Sequence, residues 1–192
     1  QRALQRLTAV TRELDFVTAA ATGSRMNVHA PAGDVSLPLD EKLARLGAIL
    51  AGYGRAVVTY SGGVDSAFLL AATVDALGDG CVALTAISPS YPPDELEATK
   101  ALAVALGVRH VLVDTNEVDN PEYAKNPGNR CYYCKTELLG VATEKARELG
   151  YPHVLLGTNC DDLGDHRPGL QAATEHGARH PLVEAGLSKA DV

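Results

Sequence analysis

No apolar run in these 192 residues approaches the roughly 20 that a membrane span requires, and Ala67 to Thr73 is typical of the longest. A signal-peptide core is missing too, since the N-terminus carries Arg2, Arg6, Arg12, Glu13 and Asp15. A soluble, cytoplasmic protein is the expectation. Basic residues are in deficit, 17 against 24 acidic for a formal charge of -7, which disfavours a broad surface tracking nucleic-acid phosphates. Cysteines number four, and without a secretory signal they read as reduced thiols or ligands, not as a disulfide framework. Methionine is scarcer still: the chain opens at Gln1 and its only methionine is Met26, while Ala185 to Val192 reads as the opening of a helix with Ser188 as N-cap. Both ends are expected to be edges of a longer chain. What is present, 46% hydrophobic and 21% charged residues, suits one globular domain with a real core and argues against collagen-like, coiled-coil or disordered chains.

Residues 2 to 18 place Leu4, Leu7, Thr11, Leu14 and Val17 on one helical face, and Ala20 to Pro38 is rich in Ala, Gly, Ser and Pro without period. Residues 1–38 are thus an N-terminal helix and linker without an assigned role, and the main domain begins near Leu39. There the periodicity predicts a helix over 40–50 with Leu43, Leu46 and Leu50 inward, then a buried strand over 56–60. A helix over 65–77 and a strand over 81–87 follow. The next helix, 94–106, turns Leu96, Thr99, Leu102, Ala103 and Leu106 inward and ends at Gly107 as C-cap. A strand at 110–114, an aperiodic loop over 115–129 with Asn-Pro twice, a helix over 131–149 and a strand over 153–157 complete the series. Strand and helix alternating at this spacing specify parallel crossovers, hence an α/β fold with a doubly wound parallel sheet and ligand sites at the carboxyl ends of its strands.

Directly after the first strand comes Ser61-Gly62-Gly63-Val64-Asp65-Ser66, opening into a helix. Two glycines let the backbone turn tightly with its N–H groups inward, the hydroxyls add donors, and the helix N-terminus adds positive potential, all suited to an anion. It is neither a Walker loop nor a dinucleotide Gly-x-Gly-x-x-Gly. Were the turn only structural, Asp65 or Ser66 would cap the helix.

Cys131 and Cys134 stand in Asn129-Arg-Cys-Tyr-Tyr-Cys-Lys135 at the start of a predicted helix, where the helix dipole and two neighbouring cations favour the thiolate. A thioredoxin-like pair should follow the first strand, and structural zinc wants a second pair of ligands, which the sequence does not offer. His176 and His180 read as surface histidines. Gly157-Thr-Asn-Cys-Asp-Asp-Leu-Gly-Asp-His-Arg-Pro-Gly-Leu170 ends the fourth strand and brings Thr158, Asn159, Asp161, Asp165 and Arg167 to the ligand edge. Its carboxylates suit magnesium and Arg167 suits a carboxylate or phosphate, while the plain alternative is a solvated acidic loop with Asp caps.

The Ser-Gly-Gly-Val-Asp-Ser segment resembles the pyrophosphate loop of the ATP pyrophosphatase (PP-loop) superfamily, with the adenine nucleotide alpha hydrolase-like fold. The resemblance implies cleavage of ATP between the α and β phosphates, with Ser61, Gly62, Gly63, Asp65 and Ser66 holding pyrophosphate and Asp65 sharing Mg2+. It also implies adenine near Thr85 to Ser88, with Ala86 and Ser88 among the cofactor-binding residues beside Gly157 and Thr158. Together with the cysteine segment, the acidic segment and Pro181-Leu-Val-Glu-Ala-Gly-Leu187, the chain from Leu39 to Val192 resembles the ATP-dependent sulfur transferases of nickel-pincer (lactate racemase) cofactor synthesis.

That family is expected to adenylate carboxylates of pyridinium-3,5-biscarboxylic acid mononucleotide and displace AMP with sulfur. The sulfur comes from a sacrificed cysteine or from a 4Fe-4S cluster on three cysteines. Cys131 and Cys134 match the cluster type, with Asp65 and Arg167 as further catalytic residues and Asp161 and Asp165 as metal ligands. The third cluster cysteine and a C-terminal catalytic and oligomerisation region would lie past Val192; Cys81 and Cys160 do not obviously replace it. The partners implied are ATP, the pyridinium mononucleotide, a sulfur donor and, in the full-length protein, further copies of itself. The alternatives are a tRNA thiolase, which should add a basic RNA surface, an amidating ligase, which leaves the cysteine pair unexplained, and a nucleotide-binding module without chemistry.

Overall fold

The run Ala56-Val-Val-Thr59 has no polar face, and all four residues are buried, which makes it the central strand that such a run requires. A computed structural model describes residues 32–89, 91–115, 130–164, 173 and 175–192, with the side chains of 130–134 and residue 164 outside the description. The expected helix over 2–18, most of the linker, the loop after Thr115 and the residues Asp165 and Arg167 lie outside the described residues. Element order is α1 (Leu39–Tyr53), β1 (Ala56–Thr59), α2 (Val64–Leu77), β2 (Cys81–Ile87), α3 (Pro93–Leu106), β3 (Arg109–Asp114), α4 (Arg130–Glu148), β4 (His153–Leu155) and α5 (Pro181–Ala185). Short 3-10 turns occupy Gly78–Gly80 and Cys160–Gly164.

The strands are parallel and ordered β3-β2-β1-β4. Alternation along them sorts the core into two faces. Ala56, Val58, Tyr60, Ala83 and Leu155 pack with Leu46 and Leu50 of α1, Leu69 and Leu70 of α2, Leu102 and Leu106 of α3, and Leu182 of α5. Val57, Val82, Leu84, Val154 and Leu156 pack with Leu139, Ala142 and Ala146 of α4. Helices therefore cover both faces, the doubly wound arrangement expected from the alternating pattern. Among the described residues no helix is long and apolar enough to cross a membrane.

Two differences from the sequence reading bear on the site. The fourth strand pairs with β1 only to Leu155, and on its other edge Leu156 N–H donates to Arg179 O at 3.0 Å and Arg179 N–H to Val154 O at 2.9 Å. The chain after residue 178 thus runs alongside β4 and enters α5, an element the sequence did not announce. The helix opening expected at Ala185 is in fact the end of α5, where Gly186 is a left-handed C-cap. Ser188 opens a turn rather than capping: its N–H and its hydroxyl both donate to Asp191 Oδ2, at 2.8 and 2.7 Å. Before α1, the N–H of Gly33 donates to Val183 O at 2.9 Å, tying residues 33–38 to α5.

Candidate active site

Because β2 and β3 extend the sheet to one side of β1 and β4 adds to the other, the strand order reverses between β1 and β4. Crevices at such reversals, beyond the carboxyl ends of the strands, are where open α/β sheets bind ligands. The loop after β1 and the loop after β4 both fall there. Thr59 fastens the two strands just beneath them, its hydroxyl donating to Leu155 O at 3.1 Å.

The first wall is the Ser61–Ser66 loop. Gly62 has φ of 85°, and a Cβ there would stand 2.9 Å from Thr99 Cγ2 of α3, so both conformation and space require glycine. Ser66 Oγ donates to Gly63 O at 2.9 Å and accepts Ser61 N–H at 3.3 Å. Its single proton being used, the 3.3 Å contact between the two hydroxyls has Ser61 as donor. Tyr91 braces the loop from outside, donating to Ser61 O at 3.0 Å, a role the sequence did not signal. No side chain caps α2: Asp65 and Ser66, which a purely structural turn would use, point elsewhere. The N–H groups of its first turn therefore remain available to an anion.

The second wall is the loop after β4. A Cβ at Gly157 would fall 2.8 Å from both Cα and N of Ser66, so glycine here lets the second wall press against the first turn of α2. Thr158 follows, half-buried. Asn159 is buried and organises the 3-10 turn: its Oδ1 accepts the N–H groups of Asp161 and Asp162, at 3.0 and 3.3 Å, and Asp162 Oδ2 accepts Asn159 N–H at 3.1 Å. Asp162 thus acts as a cap. Cys160 N–H donates to Leu187 O at 2.8 Å, joining this wall to the segment after α5.

That segment delivers a residue the sequence reading passed over. Lys189 Nζ donates to Asp65 Oδ2 at 2.6 Å, and the Lys189 backbone N–H donates to Asp161 Oδ2. One lysine therefore joins two of the three carboxylates expected at a metal, Asp65 and Asp161. Asp65 Oδ1 is buried and has no hydrogen-bond partner among the described residues, so it has room for a cation or donor. The only sequence signal for Lys189 was its position two residues past Leu187, and nothing local announced that this turn folds back onto α2.

The end of β2, where adenine was expected, is less open than that expectation required. Thr85 is buried, and its hydroxyl donates to Tyr60 O at 2.6 Å while contacting His110 Nε2 at 2.8 Å, so His110 is the donor in that second bond. Ala86 and Ser88 are half-buried beyond it.

The cysteines separate by position. Cys131 and Cys134 fall in the first two turns of α4, and since α4 leads into the start of β4 its N-terminus lies at the ligand edge. Cys81 is buried at the opposite end, at the start of β2, where burial pushes its thiol up to about 12. Cys160 is half-buried with its thiol also raised, by burial first and then by Asp161. His180, expected at the surface, is buried because Arg179 is bonded to β4 and Pro181 starts α5. Neither of its ring nitrogens has a hydrogen-bond partner among the described residues, and burial pushes its pKa down to about 4. Among the described residues no group of three or more metal-ligating side chains occurs.

No protein-family model matches the chain. It is 49% identical over 154 residues to an uncharacterized Synechocystis protein, covering 80% of this chain and 58% of that one. It is 34% identical over 155 residues to the pyridinium-3,5-bisthiocarboxylic acid mononucleotide synthase of Lactiplantibacillus plantarum, covering 80% and 56%. The chain spans somewhat more than half the length of these curated relatives. Among solved structures it resembles the NMN synthetase from Francisella tularensis, with a TM-score of 0.53 at 15% identity over 80% of this chain and 79% of that one. It also resembles the NH3-dependent NAD synthetase from Campylobacter jejuni, with a TM-score of 0.52 at 15% identity over 65% and 58%.

Proposed function

The fold is that of the PP-loop ATPases, shared with the NAD and NMN synthetases, and on it we propose that this chain is the nucleotide-activating part of an ATP-dependent sulfur transferase. It adenylates a carboxylate of pyridinium-3,5-biscarboxylic acid mononucleotide and exchanges oxygen for sulfur. The observation that carries the reading is the uncapped N-terminus of α2 at the strand-order reversal, faced by Lys189 and by the unpartnered oxygen of Asp65. Support for the sulfur step is the 34% identity to the bisthiocarboxylate synthase and the Cys-x-x-Cys at the start of α4.

In the first step a carboxylate oxygen attacks the α-phosphorus of ATP, and the bond from that phosphorus to the bridging oxygen breaks. The products are an acyl adenylate and pyrophosphate. The first-turn N–H groups of α2 and the Lys189 ammonium neutralise the charge that grows on the leaving pyrophosphate, for which Lys189 exchanges Asp65 for a phosphate oxygen. Asp65 and Asp161 offer the hard oxygen donors that suit magnesium, and Asp65 Oδ1 fits that role by being buried and unpartnered. When bound, the ion would supply further positive charge to the phosphates. Asp165 is proposed as an added oxygen ligand, Arg167 as the fork that orients the substrate carboxylate, and Ala86, Ser88, Gly157 and Thr158 as the residues flanking the nucleotide.

In the second step a sulfur nucleophile attacks the acyl carbon, and AMP leaves with the electrons of the carbon–oxygen bond. A carboxylate made into a mixed anhydride has the leaving group that this substitution needs. Cys131 and Cys134 are proposed to handle the sulfur as thiolates, favoured by the helix dipole and by Arg130 and Lys135. Of the other two thiols, Cys81 lies at the far end of the sheet, away from the start of α4, and Cys160 Sγ contacts Val183 O at 3.8 Å.

The test is anaerobic. Protein with magnesium ATP and sulfide is offered the pyridinium mononucleotide, ammonia with a carboxylate acceptor, or bulk tRNA, while pyrophosphate and product mass are followed. The expected result is release stimulated by the pyridinium compound alone, with oxygen replaced by sulfur in the product. Release driven by ammonia or tRNA instead, or by none of the three, would overturn the reading.

A further inference from the structure

Lys42 is a lysine where the helical pattern of α1 calls for an apolar residue: it stands four before Leu46 on the inward stripe, and its side chain is only 6% exposed. Burying an ammonium costs several kcal/mol, by a typical reckoning, and an apolar residue of similar volume would usually serve stability as well or better. What the ion pair adds is geometry. Lys42 Nζ meets Asp191 Oδ2 at 2.8 Å, and the same oxygen accepts the N–H and the hydroxyl of Ser188. The carboxylate is pinned from three directions, and the turn 188–191 is pinned with it.

We infer that Lys42 is a positioning residue of the nucleotide site, holding Lys189 in place through Asp191. The inference rests on the reading of Lys189 as a phosphate ligand. Lys189 sits inside the pinned turn, between Ser188 and Asp191, and reaches Asp65 and Asp161 from there. Lys42 acts in two ways. It fixes the direction from which the ammonium of Lys189 approaches the phosphate loop. It also neutralises Asp191, which would otherwise be an unpaired carboxylate two residues from Lys189, competing with the phosphates for that ammonium. The low pKa of Asp191, pushed down to about 2 by Lys42 and the Ser188 bonds, agrees with a carboxylate held charged and occupied. By this inference α1, which precedes the phosphate loop in the chain, belongs to the nucleotide site.

The experiment compares Lys42→Met, Lys42→Arg, Lys189→Met and the double variant Lys42→Met/Lys189→Met, measuring affinity for magnesium α,β-methylene-ATP and the melting temperature. Lys42→Met is expected to weaken the nucleotide by about tenfold, the scale of one charge-assisted hydrogen bond, while the melting temperature stays within about 4 °C. Lys42→Arg should recover most of the loss. In the Lys189→Met background, Lys42→Met should add less than about a twofold further loss, because residues acting through one another are not additive. A full tenfold loss in that background, or an unchanged affinity for Lys42→Met where Lys189→Met binds weakly, would overturn the inference. An unchanged affinity for Lys189→Met would remove the reading on which it rests, and the inference with it. Should Lys42→Met not fold, Asp191→Asn makes the same comparison, since it keeps an oxygen for Ser188 and removes the charge that Lys42 grips.

Discussion

The two walls of the crevice between β1 and β4 are built to opposite rules. In the loop after β1, two serine hydroxyls and a tyrosine hold the backbone in shape, while the N–H groups at the start of α2 are left uncapped. In the loop after β4 and the turn that packs on it, Asn159, Asp162, Ser188 and Asp191 are occupied with the hydrogen bonds of their own turns. Polar residues at a sheet edge therefore do not all point to ligand chemistry. Those whose groups are already taken maintain the wall, and those left over are the ones a ligand can reach. Lys189 is the bridge, rooted in the second wall and bonded to the carboxylate of the first.

The comparison is broken most severely at that bridge. Lys189→Met and Asp65→Asn should each lower pyrophosphate release on the order of 100-fold, the usual scale for one group that stabilises charge in the transition state, whereas Asp162→Ala should leave it within about threefold. Gly157→Ala forces a methyl onto the backbone of Ser66, and chemical denaturation should show a loss of about 1–3 kcal/mol together with weakened nucleotide binding. His180 gives a pH dependence with a definite sign. It is neutral when folded, so as pH falls from 6.5 towards 4 the unfolded chain takes up a proton that the folded chain does not, and stability declines on the order of 2 kcal/mol. His180→Leu should flatten that decline in acid melts without moving the neutral-pH value upward by a comparable amount. The smallest effect belongs to Asp162→Ala, about 1 kcal/mol in thermal unfolding, for the lost bond to Asn159 N–H.

The fold was largely legible in the sequence because its signals are local. The second strand was expected at Cys81–Ile87 and lies there, and α2, α3 and α4 begin within one residue of their expected starts. What escaped were contacts between distant segments. Lys42 and Asp191 are 149 positions apart and Asp65 and Lys189 are 124 apart, and no periodicity relates either pair. The burial of His180 likewise follows from the pairing of Arg179 with β4, which a short polar stretch does not announce. Lys42 alone left a trace, as a charge on the inward stripe of an amphipathic helix. Gly157 was noticed for its place at the strand end, but the reason it must be glycine is the backbone of α2 pressing on it.

The amide groups of the two walls can be observed directly by 15N chemical shifts while pyrophosphate is added. If the uncapped start of α2 is the phosphate site, saturable shifts will concentrate at Gly62, Gly63, Val64, Asp65 and Ser66, and the amides of Asn159, Asp162 and Ser188, already bonded within their turns, will move little. Shifts centred on the second wall, or a Ser61–Ser66 loop that does not respond, would contradict that assignment.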